Sequence, residues 1–256
     1  MIAAPPPVLP PPAIPTVSAA LTETQVEVAS DFAGASIVLY GAVFHTGERP
    51  DVVVVVRGPQ EPVRLVRKTR VAGLWLNSRP VVFVGAPGFY QAASTRPLED
   101  IANFGTRRRL GLGLDHLRID APEEESVETR YGVRDVVVSR LGADYLDWRR
   151  AVVRLQEDAG LYEADPQGVA FVDRGLFRAE VKLPASAPVG TYDAEVWLFQ
   201  DGAPVSVRTR RLTVEKVGLE RAVYAFAHER PWLYGLLSVC LALAAGWAAS
   251  ILFRRS

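Results

Sequence analysis

The stretch Asp51–Arg57 reads DVVVVVR, and it decides the fold. Five consecutive valines are β-branched, and β-branched residues favour an extended strand. Because alternate side chains of a strand point to opposite faces, an unbroken apolar run predicts a strand that is buried on both faces. Gly58 and Pro59 follow at once and mark the end of the strand. We therefore expect a central strand in a larger sheet.

The chain on both sides of this strand also has β patterns. Segments that alternate apolar and polar residues, or are rich in β-branched ones, are 24–30, 35–44, 62–71, 176–183 and 190–200. The more polar segment 62–71 is typical of an edge strand. Asp201–Gly202 is a turn signal, and it predicts a hairpin between 190–200 and the return strand 205–217.

Residues 86–165 separate the two β regions and have helical character. Tyr145, Trp148, Val152 and Leu155 form an apolar stripe at spacings of three and four, which is typical of an amphipathic helix. Neither β region alone has enough strands for a good core. We therefore predict a mainly β fold, an immunoglobulin-like β-sandwich over residues 21–216 with a helical insertion at about 86–165.

The end of the chain predicts a membrane segment. Residues 232–253 read WLYGLLSVCLALAAGWAASILF and contain no charge. As a helix this stretch would be about 33 Å long, enough to cross a bilayer core of about 30 Å. We predict a C-terminal transmembrane helix there, after a juxtamembrane segment 217–231; a buried core helix is the alternative. Ala242, Gly246 and Ser250 lie four apart, a spacing that permits helix–helix association in the membrane.

The charges that flank this segment predict its orientation. Arg254 and Arg255 follow it, so the positive-inside rule places residues 254–256 in the cytoplasm. The chain would then cross the inner membrane once, with its bulk in the periplasm. That topology needs an export signal, and residues 1–20 are either a Pro-rich leader or a degenerate signal peptide. A tail-anchored protein with a cytosolic domain is the alternative.

Composition and motifs exclude several classes of function. The formal net charge is zero, so there is no basic footprint for nucleic acid. Cys240 is the sole cysteine, which excludes an intrachain disulfide and a thiolate metal site. The sequence has no nucleotide-binding loop, nucleophile elbow or zinc-protease motif. We expect no catalytic residues, cofactor or metal; an unrecognised hydrolase is the remaining alternative.

Two sets of residues are candidates for binding. Arg57, Arg64 and Arg67 are the candidate anion contact, although basic residues on an edge strand also deter strand pairing. The candidate partner interface consists of Trp75, Asn77, Tyr90 and Arg96. Filling the core is the alternative role for its aromatic residues.

Five stretches carry a resemblance to a known family. They are DVVVVVRGP (51–59), VAGLWLNS (71–78), FYQAASTRPL (89–98), LFRAEVKLPASAPVGTYDAEVWLFQDG (176–202) and VGLERAVYAFAHERPWLYGLLSV (217–239). They resemble uncharacterised single-span membrane proteins of alpha-proteobacteria. That family has no established activity, and its members begin with a true signal peptide, from which this Pro-rich start departs. Members are often encoded beside permeases of the sulfite-exporter type.

The resemblance and the residues together predict a function. We expect a membrane-anchored, periplasmic, non-enzymatic interaction domain whose partners are the lipid bilayer and a polytopic permease. An exported domain that binds an anion or another solute is the alternative.

Overall fold

The computed structural model describes residues 14–29, 32–46, 50–71, 73–77, 80–120, 126–130, 133–137 and 145–216, with ten further residues between 231 and 247. The strands of these ranges are β1 (Thr16–Leu21), β2 (Gln25–Val28), β3 (Gly34–Phe44), β4 (Asp51–Arg57), β5 (Val63–Leu65), β6 (Lys68–Val71), β7 (Leu74–Asn77), β8 (Val81–Phe83), β9 (Tyr90–Ser94), β10 (Ser126–Arg130), β11 (Val133–Val137), β12 (Tyr162–Asp165), β13 (Val169–Asp173), β14 (Leu176–Pro184), β15 (Gly190–Gln200) and β16 (Ala203–Lys216). The helices are α1 (Leu98–Ile101), α2 (Phe104–Leu110) and α3 (Tyr145–Asp158), and Leu114–His116 forms a 3₁₀ turn.

The chain divides into two compact units. The first consists of Met1–Val26 and Ala33–Val214, and it holds both main sheets. The second consists of Glu27–Phe32 and Glu215–Ser256. The ten described residues between 231 and 247 belong to this second unit and are helical.

Two sheets form the body of the first unit. One has four strands in the order β1-β3-β14-β13, and the other has six in the order β12-β9-β4-β15-β16-β2. Backbone groups of β1 accept from two arginines of β16, since Val17 O lies 3.3 Å from Arg208 Nε and Ala19 O 2.6 Å from Arg210 Nε. The buried Gln91 of β9 donates to Glu180 O and accepts from Lys182 N on β14. These bonds join the two sheets of a β-sandwich.

Strand β4 is central, as its valine run predicts. It pairs with β15 on one side and with β9 on the other, antiparallel in both cases. Val52–Val56 are each at most 2% exposed. Val53 and Val55 belong to a core cluster with Trp148 and Val152 of α3, so the second face of β4 is covered by the helical layer. Burial on both faces explains why no polar residue interrupts this strand.

The hairpin predicted at Asp201–Gly202 is confirmed. Strands β15 and β16 pair from Gly190↔Val214 to Gln200↔Ala203 around this turn. Asp201 has φ 51° and Gly202 has φ 80°. Positive φ at both central residues is the geometry of the hairpin turn that Asp-Gly favours. On β15, the Tyr192 hydroxyl donates to Pro188 O at 2.5 Å, a bond like that of the tyrosine corner in immunoglobulin-like domains.

The segment 86–165 contains helices, as predicted, and also strands. Strand β9 lies inside the six-stranded sheet, and β12 extends the sheet by a parallel pairing with β9. The sequence YQAAS of β9 is composed of small and polar residues, so it lacks the β-branched signal of a buried strand. In α3 the predicted stripe is largely inward, with Trp148 and Val152 buried, but Leu155 is 48% exposed.

The single edge strand predicted at 62–71 is divided in the structure. Strand β5 pairs with β8, whereas β6 pairs with β7 in a separate two-stranded sheet. Residues Leu74–Asn77, which include the interface candidates Trp75 and Asn77, form β7. Strand β1 begins at Thr16, so part of the predicted leader 1–20 belongs to the four-stranded sheet.

The structure contradicts the predicted transmembrane helix over 232–253. Within the described part of the chain, no helix combines the length and the apolarity that crossing a membrane requires. Ten residues from Pro231 to Trp247 are described there and are helical, and the rest of the segment lies outside the described residues. Apolarity over 22 residues is a necessary property of a spanning helix and does not by itself establish one. Segment 217–230 and tail 254–256 also lie outside the described residues.

Candidate interaction surface

Strands β6 and β7 form a short hairpin, Lys68–Asn77, which we call the contact hairpin. Its register runs from Lys68↔Asn77 to Val71↔Leu74. At its turn, Gly73 has φ +86°, and a Cβ placed there would meet nothing within 4 Å. Glycine is therefore required by the backbone conformation and not by a lack of space. The turn lets two short strands pair, and no third strand among the described residues joins them.

The contact hairpin exposes apolar side chains on both of its faces. Leu74, Trp75 and Leu76 are 67%, 68% and 50% exposed. Directly opposed residues of an antiparallel pair share a face, so Trp75 lies beside Arg70. Leu74 and Leu76 lie on the other face because side chains alternate along a strand. Exposed apolar side chains concentrated in one place mark an interaction site more often than scattered ones do.

Basic residues lie on the contact hairpin and in the chain just before it. Residues 62–80 include five basic residues and no acidic one, in a chain whose formal net charge is zero. Arg64, Arg67, Lys68 and Arg70 are exposed. The guanidinium carbon of Arg67 lies 4.7 Å from the centre of the Trp148 ring, so a cation–π contact joins the start of the hairpin to α3. The surface thus combines positive charge with exposed Trp and Leu.

The structure separates the four residues predicted to form a partner interface. Trp75 and Asn77 lie together on the contact hairpin. Tyr90 is fully buried; its hydroxyl donates to Gly111 O at 3.2 Å and accepts from Gly113 N at 2.8 Å. Burial raises the pKa of Tyr90 to about 12, against a smaller lowering effect of the nearby Arg57. Tyr90 is therefore placed as a core residue, whereas Trp75 and Asn77 are exposed.

The fourth predicted interface residue, Arg96, is part of an ion pair. Its Nη2 lies 2.6 Å and its Nε 2.8 Å from the two carboxylate oxygens of Asp51, at the start of the central strand. This bidentate hydrogen bond raises the pKa of Arg96. Asp51 also accepts from the Thr95 hydroxyl. The pair closes one end of the sheet, which is a structural role for Arg96.

The three arginines predicted as an anion contact also occupy different environments. Arg57 Nη1 lies 2.6 Å from Glu195 Oε2, and Arg57 Nη2 donates to Leu110 O and Gly111 O. Trp197 Nε1 donates to the same Glu195 oxygen at 3.0 Å. The charge of Arg57 is thus already balanced by a carboxylate. Arg64 lies on β5 and Arg67 stacks on Trp148, so Arg57 and Arg67 each already have partners of another kind.

A different group of arginines lines a cavity that the sequence did not indicate. The cavity has a volume of about 720 Å³ and lies between α2, the 3₁₀ turn and α3. Its basic lining consists of Arg107, Arg108, Arg118, Arg149 and His116, and its acidic lining consists of Asp115 and Asp120. We call it the arginine cavity. Sequence spacing gave no signal for it because the arginines come from separate elements.

Electrostatics in the arginine cavity favour anions. The pKa of His116 is lowered, first by burial and then by the positive charge of Arg107; Asp115 opposes this shift, and Arg149 and Arg108 add to it. Arg149 donates to the carbonyl oxygens of Leu114, Asp115 and Leu117, which fixes the 3₁₀ turn and satisfies its carbonyls. Within the described ranges, no three His, Cys, Asp or Glu side chains are grouped to hold a metal ion.

Comparison with known proteins places the chain in a family. No curated protein matches it. A protein-family model matches residues 16–255, a range that includes both main sheets and the contact hairpin. This match confirms the family that the five sequence stretches indicated. The chain belongs to the alpha-proteobacterial family described as "Putative transmembrane protein (Alph_Pro_TM)".

Proposed function

We propose that this protein is a non-enzymatic interaction protein that acts at a membrane and contacts a membrane component through the contact hairpin. The observation that carries the proposal is the exposure of Leu74, Trp75 and Leu76 on a hairpin that forms its own two-stranded sheet within the described part of the chain. The family description, which names a transmembrane protein, supports the membrane as the place of action. The resemblance to proteins encoded beside permeases makes an anion permease the candidate for the protein that it assists.

The energetic cost of the hairpin supports a binding role. A large apolar side chain gains about 1.5–3 kcal/mol when it is fully buried, and Leu74 and Trp75 forgo most of that gain. Polar residues at these positions would leave the sheets of the sandwich unchanged, because β6 and β7 form a two-stranded sheet separate from them. The exposed surfaces of Leu74 and Trp75 are therefore accessible to a second molecule.

The ionisable groups near the sheets support a structural and not a catalytic use of charge. Arg57 and Glu195 are paired with each other, and Asp51 is paired with Arg96. Each of these groups also has a further hydrogen bond or ring contact, apart from Arg96. Groups that are held in such pairs stabilise β4, with Asp51 at its start and Arg57 at its end, and the neighbouring strand β15, which carries Glu195.

Site-specific photo-crosslinking tests the proposal. A benzophenone amino acid at position 75 of the full chain, irradiated in the native membrane fraction, should give crosslinked adducts. The same amino acid at position 155 is the matched control, because Leu155 is also exposed, at 48%, but lies on α3. Equal adduct formation at the two positions, or none at position 75, would contradict the proposal.

We also propose that the β domain lies in the periplasm, which the resemblance to signal-bearing precursors supports. Cysteine labelling tests this placement, because Cys240 is the sole cysteine and can be changed to Ser. In that background, Glu157→Cys places a thiol on the exposed surface of α3. A maleimide that cannot cross the inner membrane should label it in intact cells. Labelling only after lysis would place the domain in the cytosol.

A second candidate function is binding of a small anion in the arginine cavity. Four arginines and a histidine with a lowered pKa line this cavity, against two aspartates. Calorimetry of the full chain with sulfate and sulfite should show binding that Arg108→Gln weakens and the surface control Arg154→Gln does not. A bound dianion should also raise the pKa of His116, which a proton NMR titration of its ring would report. No heat at millimolar anion would exclude this function.

A further inference from the structure

We infer that the contact hairpin docks directly onto an anionic phospholipid surface, with Trp75 and its neighbouring leucines at the level of the headgroups. This inference rests on the proposed function, in which the hairpin is the contact surface, and it names the molecule that is contacted. Three observations support this inference. They are the charge of the region, the exposure of both faces of the hairpin and the hydrogen bonding of its backbone.

The charge of the region is complementary to an anionic surface. Residues 62–80 carry five basic residues and no acidic one, whereas the whole chain is formally neutral. Exposed Lys68 and Arg70 stand on the hairpin itself. A surface of anionic lipid attracts each nearby Lys or Arg, and these attractions add over a cluster. A neutral protein surface would offer no such gain.

The exposure of both faces favours a lipid surface over a folded protein. Trp75 projects from one face of the ribbon, and Leu74 and Leu76 project from the other. A protein partner that covers one face leaves the other in water. A headgroup layer is fluid and surrounds both faces at once. Trp, with a large ring and one N–H donor, is the side chain that prefers this interfacial zone.

The backbone limits how deeply the hairpin enters. A two-stranded ribbon has unpaired N–H and C=O groups along both outer edges, and the hydrocarbon core offers them no partner. Four residues per strand span about 13 Å, more than the roughly 5–10 Å to which interfacial segments are buried, so part of the hairpin stays in water. Lys68 and Arg70 can extend toward phosphates while the apolar residues contact the first acyl carbons. The hairpin therefore fits the interface and not the interior of the bilayer.

Vesicle binding of the full chain tests the inference. The probes are vesicles of phosphatidylcholine alone and of phosphatidylcholine mixed with phosphatidylglycerol, measured by flotation at low and high salt. The wild-type chain should bind the anionic vesicles more tightly, and salt should weaken that binding. Lipids brominated near the headgroup should quench a component of the tryptophan fluorescence that Trp75→Phe removes.

Two pairs of substitutions divide the interaction into its charged and apolar parts. Lys68→Gln with Arg70→Gln should weaken binding to anionic vesicles about 25-fold, because each cation contributes about fivefold. Leu74→Ser with Trp75→Ser should remove the quenched component that belongs to Trp75 and weaken binding to both kinds of vesicle. The matched control is Arg154→Gln with Leu155→Ser, which removes one exposed cation and one exposed apolar side chain from α3 and should leave binding unchanged.

The outcomes distinguish this inference from the proposed function. Equal affinity of the wild-type chain and both hairpin variants, or no preference for anionic vesicles, would overturn the lipid inference. If position 75 then still crosslinks to a membrane protein, the proposed function stands and the contacted molecule is a protein. If position 75 gives no adduct either, both fail. Each pair of substitutions is tested separately, so a variant that does not fold leaves the other as the test.

Discussion

Two apolar runs, Val52–Val56 and Leu74–Leu76, have opposite environments in this protein. Each valine of the first is at most 2% exposed, and each residue of the second is at least 50% exposed. The first lies on a strand that is paired on both edges and covered on both faces; the second lies on a strand with one partner. An apolar run therefore predicts a strand, while the number of neighbouring strands and layers decides whether that strand is buried.

The sharpest test of this difference places a charge in each run. Val54→Asp puts a carboxylate where Val196 and Ala93 flank the residue on the neighbouring strands, with no basic partner beside it in the register. We expect a loss of more than about 4 kcal/mol in the free energy of unfolding, enough to prevent folding. Urea unfolding followed by circular dichroism measures the loss.

Leu76→Asp is the counterpart on the contact hairpin. It should change the free energy of unfolding by no more than about 0.5 kcal/mol, because the side chain is half exposed and lies outside the main sheets. If the two aspartates had equal effects, the contrast between the buried and exposed runs would be wrong.

Alkaline pH should destabilise the buried interior through its tyrosines and leave the packing of the contact hairpin unchanged. Burial raises the pKa of Tyr90 from 10.0 to about 12, and burial raises the pKa of Tyr162 and Tyr192 as well. The folded state then binds the phenolic proton more tightly than the unfolded state. The stabilisation is complete below pH 10 and is lost as the pH rises through 12, by about 1.4 kcal/mol per pH unit for Tyr90.

Urea unfolding at a series of pH values checks this prediction. The quantity compared is the slope of the free energy of unfolding against pH. Tyr90→Phe should reduce the slope between pH 10 and 12 by about one proton. The absolute stability of this variant also falls, because its hydrogen bonds to Gly111 and Gly113 are lost, so the slope and not the level is the test. The contact hairpin contains no tyrosine. An unchanged slope in the variant would show that Tyr90 ionises normally.

The same contrast shows how much of the fold the sequence determines. Local patterns predicted β4 and the β15–β16 hairpin, because valine branching and an Asp-Gly turn act within a few residues. They did not predict β9, whose small residues carry no strand signal and whose place between β4 and β12 depends on distant pairings. The transmembrane helix was predicted from apolarity, which does not reveal where an apolar segment lies in three dimensions.

The candidate site was predictable only in its exposed part. Trp75 and Asn77 were predicted to belong to a contact surface, and both lie on the contact hairpin. Tyr90 was predicted beside them, but a tyrosine has the same composition signal whether its ring fills the core or faces water. The arginine cavity was missed because Arg107, Arg118 and Arg149 meet only after α2, the 3₁₀ turn and α3 are packed together.

Removing an ion pair near the sheets should lower the free energy of unfolding more than removing one at the surface. This difference should be smaller than the difference between the two apolar runs. Arg57→Met removes the pair with Glu195 and two hydrogen bonds to backbone carbonyls, and both charged side chains are only 25% exposed. We expect a loss of about 2 kcal/mol in the free energy of unfolding. The control is Arg150→Met, whose partner Asp147 is 3.6 Å away and well exposed. It should cost at most about 0.5 kcal/mol, and equal losses would contradict a structural role for Arg57.

Trp75 is the residue whose substitution should change stability least and binding most. Trp75→Ser should change the free energy of unfolding by no more than about 0.5 kcal/mol, because 68% of the side chain is already in water. Trp148→Ser, at a site that is 8% exposed in the core beneath Arg67, should cost at least about 3 kcal/mol. Photo-crosslinking and vesicle flotation on the same variants separate the two roles, since only a contact residue can lose binding while the fold keeps its stability. A Trp75→Ser chain that lost as much stability as the Trp148 variant would make Trp75 a packing residue and remove the basis for a contact hairpin.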